Sequence, residues 1–227
     1  MKYLIASLFC AVLIVSCKSE TSDSSNSAED NDLSVAQKIA NAHGYNKWKD
    51  VSEVRFTFKV DRDSVKGKGR QWIWQPKSDS VTLTMGDQVV TYNRRTMDST
   101  HIAPDRAFIN DKFWMFVPFQ LVWDEVAQIT EPKTSVAPIS QKELNMITLS
   151  YPDDAGGYTP GDAYDIYYDN DYIIREWTFR KGNSPEPTLS TTFENYKDFN
   201  GIKIAIDHKR PNANWNLNFT DVSVSFE

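Results

Sequence analysis

Cysteine is nearly absent from this 227-residue chain: there are two, Cys10 and Cys17, and none after position 17. A disulfide framework, a thiolate metal site and a cysteine nucleophile are therefore excluded for the folded part. Histidine is scarce as well. His43, His101 and His208 are the only three, and none has a second at metal-ligand spacing. Glycine-flanked serine motifs of the nucleophile-elbow kind are missing. Basic residues are outnumbered, 25 Lys and Arg against 31 Asp and Glu. That balance argues against nucleic acid as a partner, because phosphates call for a basic face. Nothing in the composition implies a cofactor. Long apolar runs are wanting too. Leu4 to Val15, broken only by Ser7, falls short of the ~20 residues that a spanning helix needs.

That short run has the size of a signal h-region and follows a positive charge at Lys2. Ile14-Val15-Ser16-Cys17 then matches a lipobox: an aliphatic residue, a small or β-branched one and a small one ahead of the cysteine. The pattern predicts a bacterial lipoprotein, with diacylglycerol on Cys17, cleavage before it and acylation of the new amine. The expected address is the cell envelope, lipid-anchored to the outer membrane, so the membrane itself is a partner through Cys17. Two or three acyl chains hold firmly where one holds weakly. Loss of residues 1–16 removes Lys2 and leaves a net charge of −7 on a chain of 211 residues, long enough for one substantial domain. Residues 18–32 contain no large apolar side chain and read as a disordered tether of roughly 20 Å. Glu20 and Asp23 are compatible with export to the surface leaflet, and equally with a plain solvated linker.

The folded domain, residues 33–227, is expected to open with a helix. Ser34 and Gln37 fit a capping box, Ile39, Ala40 and His43 lie on one face, and Gly44 stands where a terminating glycine belongs. From Val51 the period switches to two. Val54, Phe56, Phe58 and Val60 alternate with polar residues, and Trp72 and Trp74 share a face with Arg70. Val81, Leu83 and Met85 precede a Gly86-Asp87 turn. Further strands are expected near 144–151, 163–168, 172–180, 189–196, 202–208 and 214–226. Asp169-Asn170-Asp171 and Asn200-Gly201 supply tight turns between them. Trp215, Leu217 and Phe219 fall on odd positions but Val222, Val224 and Phe226 on even ones, which predicts a bulge near Thr220-Asp221. The fold class is therefore mainly β (α+β): a strongly curved antiparallel sheet forming a half-open barrel. One stretch breaks the alternation. Pro104 starts a helical pattern that runs into Phe113-Trp114-Met115-Phe116-Val117-Pro118-Phe119-Gln120-Leu121-Val122-Trp123, apolar at almost every place. Pro118 forbids one uninterrupted helix. Together with the N-terminal helix, this internal helical segment is the expected cover for the sheet.

These elements resemble the LolA/LolB-like lipoprotein-carrier superfamily. Three phrases sharpen the likeness to a group of Bacteroidota lipoproteins with no established activity. They are Ala42-His43-Gly44 with Trp48, Asn110-Asp111-Lys112-Phe113-Trp114 leading to Pro118-Phe119, and Tyr196 to Ile202 with its Asn200-Gly201 turn. The resemblance implies a half-barrel whose helices close over an apolar cavity that takes lipids or acylated proteins. It carries over no functional residue. A lipid on Cys17 speaks for a tethered receptor, chaperone or binding protein rather than a shuttle.

The expected function is non-enzymatic binding of a lipid or other hydrophobic molecule. Trp72, Trp74, Phe113, Trp114, Phe116 and Phe119 are the candidate cavity residues, and each could as well be plain core. The alternative is a surface interaction module that fills its own cavity and binds a protein or glycan partner. A hydrolase is the third reading. It would rest on Asp153, Asp154, Asp162 and Asp165 around the Gly156-Gly157 loop, where close carboxylates could bind calcium or divide into acid and base. Finally, Ser64, Ser80 and Ser99, each preceded by aspartate, fit an O-glycosylation pattern used in Bacteroidota.

Overall fold

Helix α1 (Val35–Ala42) begins at the capping box: the Gln37 amide donates to Ser34 Oγ, and the Ser34 amide donates to Gln37 Oε1 at 2.9 Å. It ends at Gly44, whose φ of +93° only glycine adopts freely. A short 3-10 helix, Tyr45–Asp50, then leads into the first strand. The computed structural model describes residues 32–154 and 158–227, and Leu33–Glu227 form a compact unit holding every described helix, strand and core cluster. Cys17, the signal segment and all but the last residue of the tether lie outside the described residues.

The strands are β1 (Val51–Arg62), β2 (Arg70–Gln75), β3 (Ser80–Met85), β4 (Gln88–Asn93), β5 (Gln128–Ile129), β6 (Lys133–Val136), β7 (Glu143–Ser150), β8 (Ala163–Tyr168), β9 (Ile174–Arg180), β10 (Leu189–Thr192), β11 (Glu194–Phe199), β12 (Ile202–Lys209) and β13 (Trp215–Phe226). All pair antiparallel. The expected architecture is realised as two open sheets rather than one. A seven-stranded sheet runs β11-β12-β13-β1-β2-β3-β4, and a six-stranded sheet runs β10-β9-β8-β7-β5 with β6 also on β7. The expected strand 189–196 is divided at Phe193 between the two sheets. Asn200 and Gly201 both take positive φ in the two-residue β11–β12 turn. The odd-to-even slip in β13 is a bulge: Arg55 faces Ser223 but Thr57 faces Thr220, and Asp221 has φ +54°. The Thr57 hydroxyl donates to the Asp221 carboxylate at 2.9 Å and holds the bulge in place. β5 and β6 have too few apolar residues to give an alternating signal in sequence.

The internal helix α2 (Ile102–Trp123) explains its own composition. Phe108, Met115, Phe116 and Phe119 belong to the core of the seven-stranded sheet, whereas Phe113, Val117 and Leu121 belong to the core of the six-stranded one. A helix buried on two sides has no wet stripe, so its sequence shows no helical period. Pro118 cannot donate to the carbonyl four residues back, and the helix breaks its geometry at Phe116 (φ −117°, ψ 27°). Two buried carboxylates tie α2 to the seven-stranded sheet. Asp111 accepts from Arg70 Nε and Nη2 at 2.7 and 2.6 Å and from Trp72 Nε1 at 2.8 Å. Asp105 accepts from Arg94 Nε at 2.8 Å and from the hydroxyls of Tyr92 and Tyr158. Among the described residues no helix is long and apolar enough to cross a membrane.

Candidate functional site

A cavity of about 700 Å³ opens along α2 toward strands β8–β10. One cross-strand row makes much of its wall: Tyr164 on β8 faces Phe179 on β9, which faces Leu189 on β10. The side-chain period of two puts Trp177 on the same side as Phe179. From α2 come Ile109, Phe113 and Trp114. The Phe113 and Tyr164 rings are 4.8 Å apart, and those of Trp114 and Trp177 are 4.4 Å apart, so helix and sheet meet in direct ring contact there.

The wall also carries polar groups. Asp124, just past the end of α2, accepts from the Tyr151 hydroxyl and from Gln120 Nε2. Burial and the Asp124 carboxylate together push the Tyr151 hydroxyl upward. Arg94 is committed to Asp105, while exposed Arg106 lies 5.3 Å from the centre of the Tyr158 ring. Lys112 is the odd member. Its ammonium sits 5.6 and 5.0 Å from the ring centres of Trp74 and Trp123, and among the described residues no carboxylate lies within salt-bridge reach of it. Burial, and after it the charge of Arg94, lowers its pKa to about 8. Gln120 Oε1 and Trp177 Nε1 are buried polar atoms of the same wall with no partner among the described residues.

The six aromatic candidates part company here. Phe113 and Trp114 line the cavity. Trp72, Trp74, Phe116 and Phe119 do not; they are at most 5% exposed and sit in the core of the seven-stranded sheet. There Trp48 fills the remaining space, with ring centres 4.9 to 5.6 Å from Trp74, Phe116, Phe119 and Trp123. The void lies instead on the six-stranded side. Tyr164, Trp177, Phe179 and Leu189 were missed by sequence reasoning, although the shared period of 163–168 and 174–180 places aromatics on one face.

The acidic residues do not converge. Asp153 and Asp154 are exposed, Asp162 accepts from the Gly182 amide at 2.8 Å, and Asp165 is taken by Arg180 and the Thr148 hydroxyl. Among the described residues no group of three or more His, Cys, Asp or Glu side chains is placed to hold a metal. His43 and His208 are structural. His43 Nδ1–H donates to the Ile39 carbonyl at 2.8 Å, and His208 Nδ1–H donates to the Thr192 carbonyl at 3.2 Å among Trp114, Phe193 and Phe219. Burial drives both imidazoles down to about 4. Ser64 and Ser99 are exposed and Ser80 is half-buried.

Comparison with solved structures finds similar outlines. A LolA superfamily protein from Nitrosomonas europaea matches over 86% of this chain and 96% of its own, with 9% identity and a TM-score of 0.46. A DUF1329 family protein from Desulfovibrio piger matches over 84% and 92%, with 7% identity and a TM-score of 0.42. Values of this size assign the chain to no family. No family model matches the sequence. No curated protein matches it either.

Proposed function

We propose that the mature protein is a lipoprotein anchored to the outer membrane through Cys17, and that it holds a lipid or other hydrophobic molecule between α2 and strands β8–β10. Binding, not bond-making, is its task. The observation that supports this reading is the cavity itself. Its volume of about 700 Å³ falls within the range of roughly 300–1,000 Å³ usual for small-molecule sites, and its wall is mainly aromatic and aliphatic. Such a wall gains free energy by removing apolar ligand surface from water and needs no catalytic group. The carboxylates proposed for hydrolysis are dispersed or engaged, which favours the same conclusion.

Two measurements test it. Native mass spectrometry of residues 33–227 purified from cells should show a co-purifying hydrophobic molecule or take up a long-chain alcohol such as dodecanol. A protein that neither carries nor takes up such a guest overturns the binding reading and returns the surface-module alternative. For the anchor, labelled palmitate should enter the full chain and fail to enter Cys17→Ala. Label in both forms would remove the lipoprotein assignment. Intact mass of the native protein, compared with the expected lipidated mass, decides glycosylation at Ser64, Ser80 or Ser99.

A further inference from the structure

A hydrophobic guest accounts for the aromatic row but not for the cations beside it. The chain as a whole is acidic, with a formal net charge of −6. Even so, the cavity wall carries Arg94, Arg106 and Lys112 against the carboxylates of Asp124 and Asp162. The carboxylates are already engaged: Asp124 by Tyr151 and Gln120, Asp162 by the Gly182 amide. Of these cations only Arg94 is ion-paired among the described residues, to Asp105. Arg106 lies against the Tyr158 ring, and the Lys112 ammonium lies beside the Trp74 and Trp123 rings with no carboxylate in reach among the described residues.

An ammonium that is half-buried and left without a carboxylate in reach among the described residues carries a desolvation cost that nothing beside it fully offsets. Ring faces recover part of that cost through cation–π attraction but supply no hydrogen-bond acceptor. Lys112 lies on the same helix as Phe113 and Trp114 and lines the same cavity, so an apolar chain seated on Tyr164, Phe179 and Leu189 can reach it with a polar end. The aromatic row and the unpaired cation thus describe the two halves of one molecule.

We infer that the cavity takes an anionic amphiphile, with its apolar part on the β8–β10 row and its carboxylate or phosphate head on Lys112, and with Arg106 at the exposed margin. This rests on the binding reading above and names the ligand class for that same site. A free phosphate would satisfy the cation but leave the row dry, so the head and the apolar part are required together.

Isothermal titration of residues 33–227 with dodecanoate, dodecyl phosphate, dodecanol and inorganic phosphate tests it. The two anionic amphiphiles should bind about tenfold or more tighter than dodecanol, the least that a charge-assisted hydrogen bond supplies. Inorganic phosphate alone should not bind. Lys112→Met should bring dodecanoate to the affinity of dodecanol without weakening dodecanol, and Lys112→Arg should keep most of the preference. Equal binding of dodecanol and dodecanoate by the unmodified protein overturns the anionic-head inference while leaving the hydrophobic site standing. So does an undiminished preference in a folded Lys112→Met protein. Binding of inorganic phosphate as tightly as dodecyl phosphate would instead make this an anion site. If no amphiphile binds at all, both readings fall.

Discussion

Replacing Asp111 with alanine tests how α2 is fixed in place. The Asp111 carboxylate is fully buried and accepts from Arg70 twice, from Trp72 and from Asn110. Truncation leaves Trp72 Nε1 buried without an acceptor and Arg70 without its partner. Breaking a buried pair by removing one side costs roughly 3–5 kcal/mol. Arg70 keeps 32% of its side chain in water and rests on the Phe58 ring, so the low end, about 3 kcal/mol, applies. For a domain of this size that corresponds to a fall in Tm of roughly 6–12 °C. Urea unfolding followed by tryptophan fluorescence and circular dichroism measures it. Asp111→Asn should lose less, because its amide oxygen can still accept from Trp72. A double change, Arg70→Met with Asp111→Leu, should recover much of the loss, since apolar residues of similar size leave no charge stranded. If Asp111→Ala lies within about 1 kcal/mol of the unmodified protein, the tie is ornamental and the reasoning fails.

Acid should weaken the fold between about pH 6.5 and pH 4, because His43 and His208 have folded-state pKa values near 4 while their unfolded counterparts titrate near 6.5. The unfolded chain binds more protons in that window, so stability falls with pH, by on the order of 3 kcal/mol for each histidine. His208→Leu should flatten the slope, and urea midpoints at pH 7 and pH 5 check it. Gly44→Ala should prevent soluble expression or lower Tm sharply, since a Cβ there would stand 1.9 Å from the Gly201 carbonyl oxygen at a φ of +93°. Phe179→Trp should reduce the capacity for dodecanol by filling the cavity while leaving the far-UV spectrum unchanged. Dodecanoate binding should weaken as pH rises through about 8, where Lys112 loses its proton because burial and then the charge of Arg94 lower its pKa against the opposing pull of Asp124, Asp105 and Asp79. A flat profile from pH 7 to pH 9.5 would separate that affinity from Lys112.

Much of the fold was legible because local chemistry dictated it. The capping box at Ser34, the tight turns at Gly86-Asp87 and Asn200-Gly201 and the phase slip at Asp221 are each decided within a few residues. What sequence could not supply was partnership across distance. Phe116 and Phe119 read identically to Phe113 in an apolar run, yet the first two face the seven-stranded sheet and the third faces the void. That difference depends on which side of α2 each sheet occupies. The pairing of Arg70 with Asp111 was hidden in the same way, as one charge on an apolar strand face and another in an apolar helix. Lys112 was visible as a cation among aromatics, but its lack of a counter-ion among the described residues is a fact of three dimensions. Division of the expected single sheet at Phe193 depends on a backbone departure that β-propensity does not encode.

The neighbour of the earliest strand is the latest one: β1 lies beside β13. During synthesis, the greasy stretch 102–123 therefore emerges with only β1–β4 to shelter it, and the other half of its covering is still unmade. Pairings between such distant parts of a chain form slowly and leave sticky surface waiting. An attendant chaperone during synthesis would suit this chain, and loss of its last dozen residues should cost solubility well before it costs any binding contact.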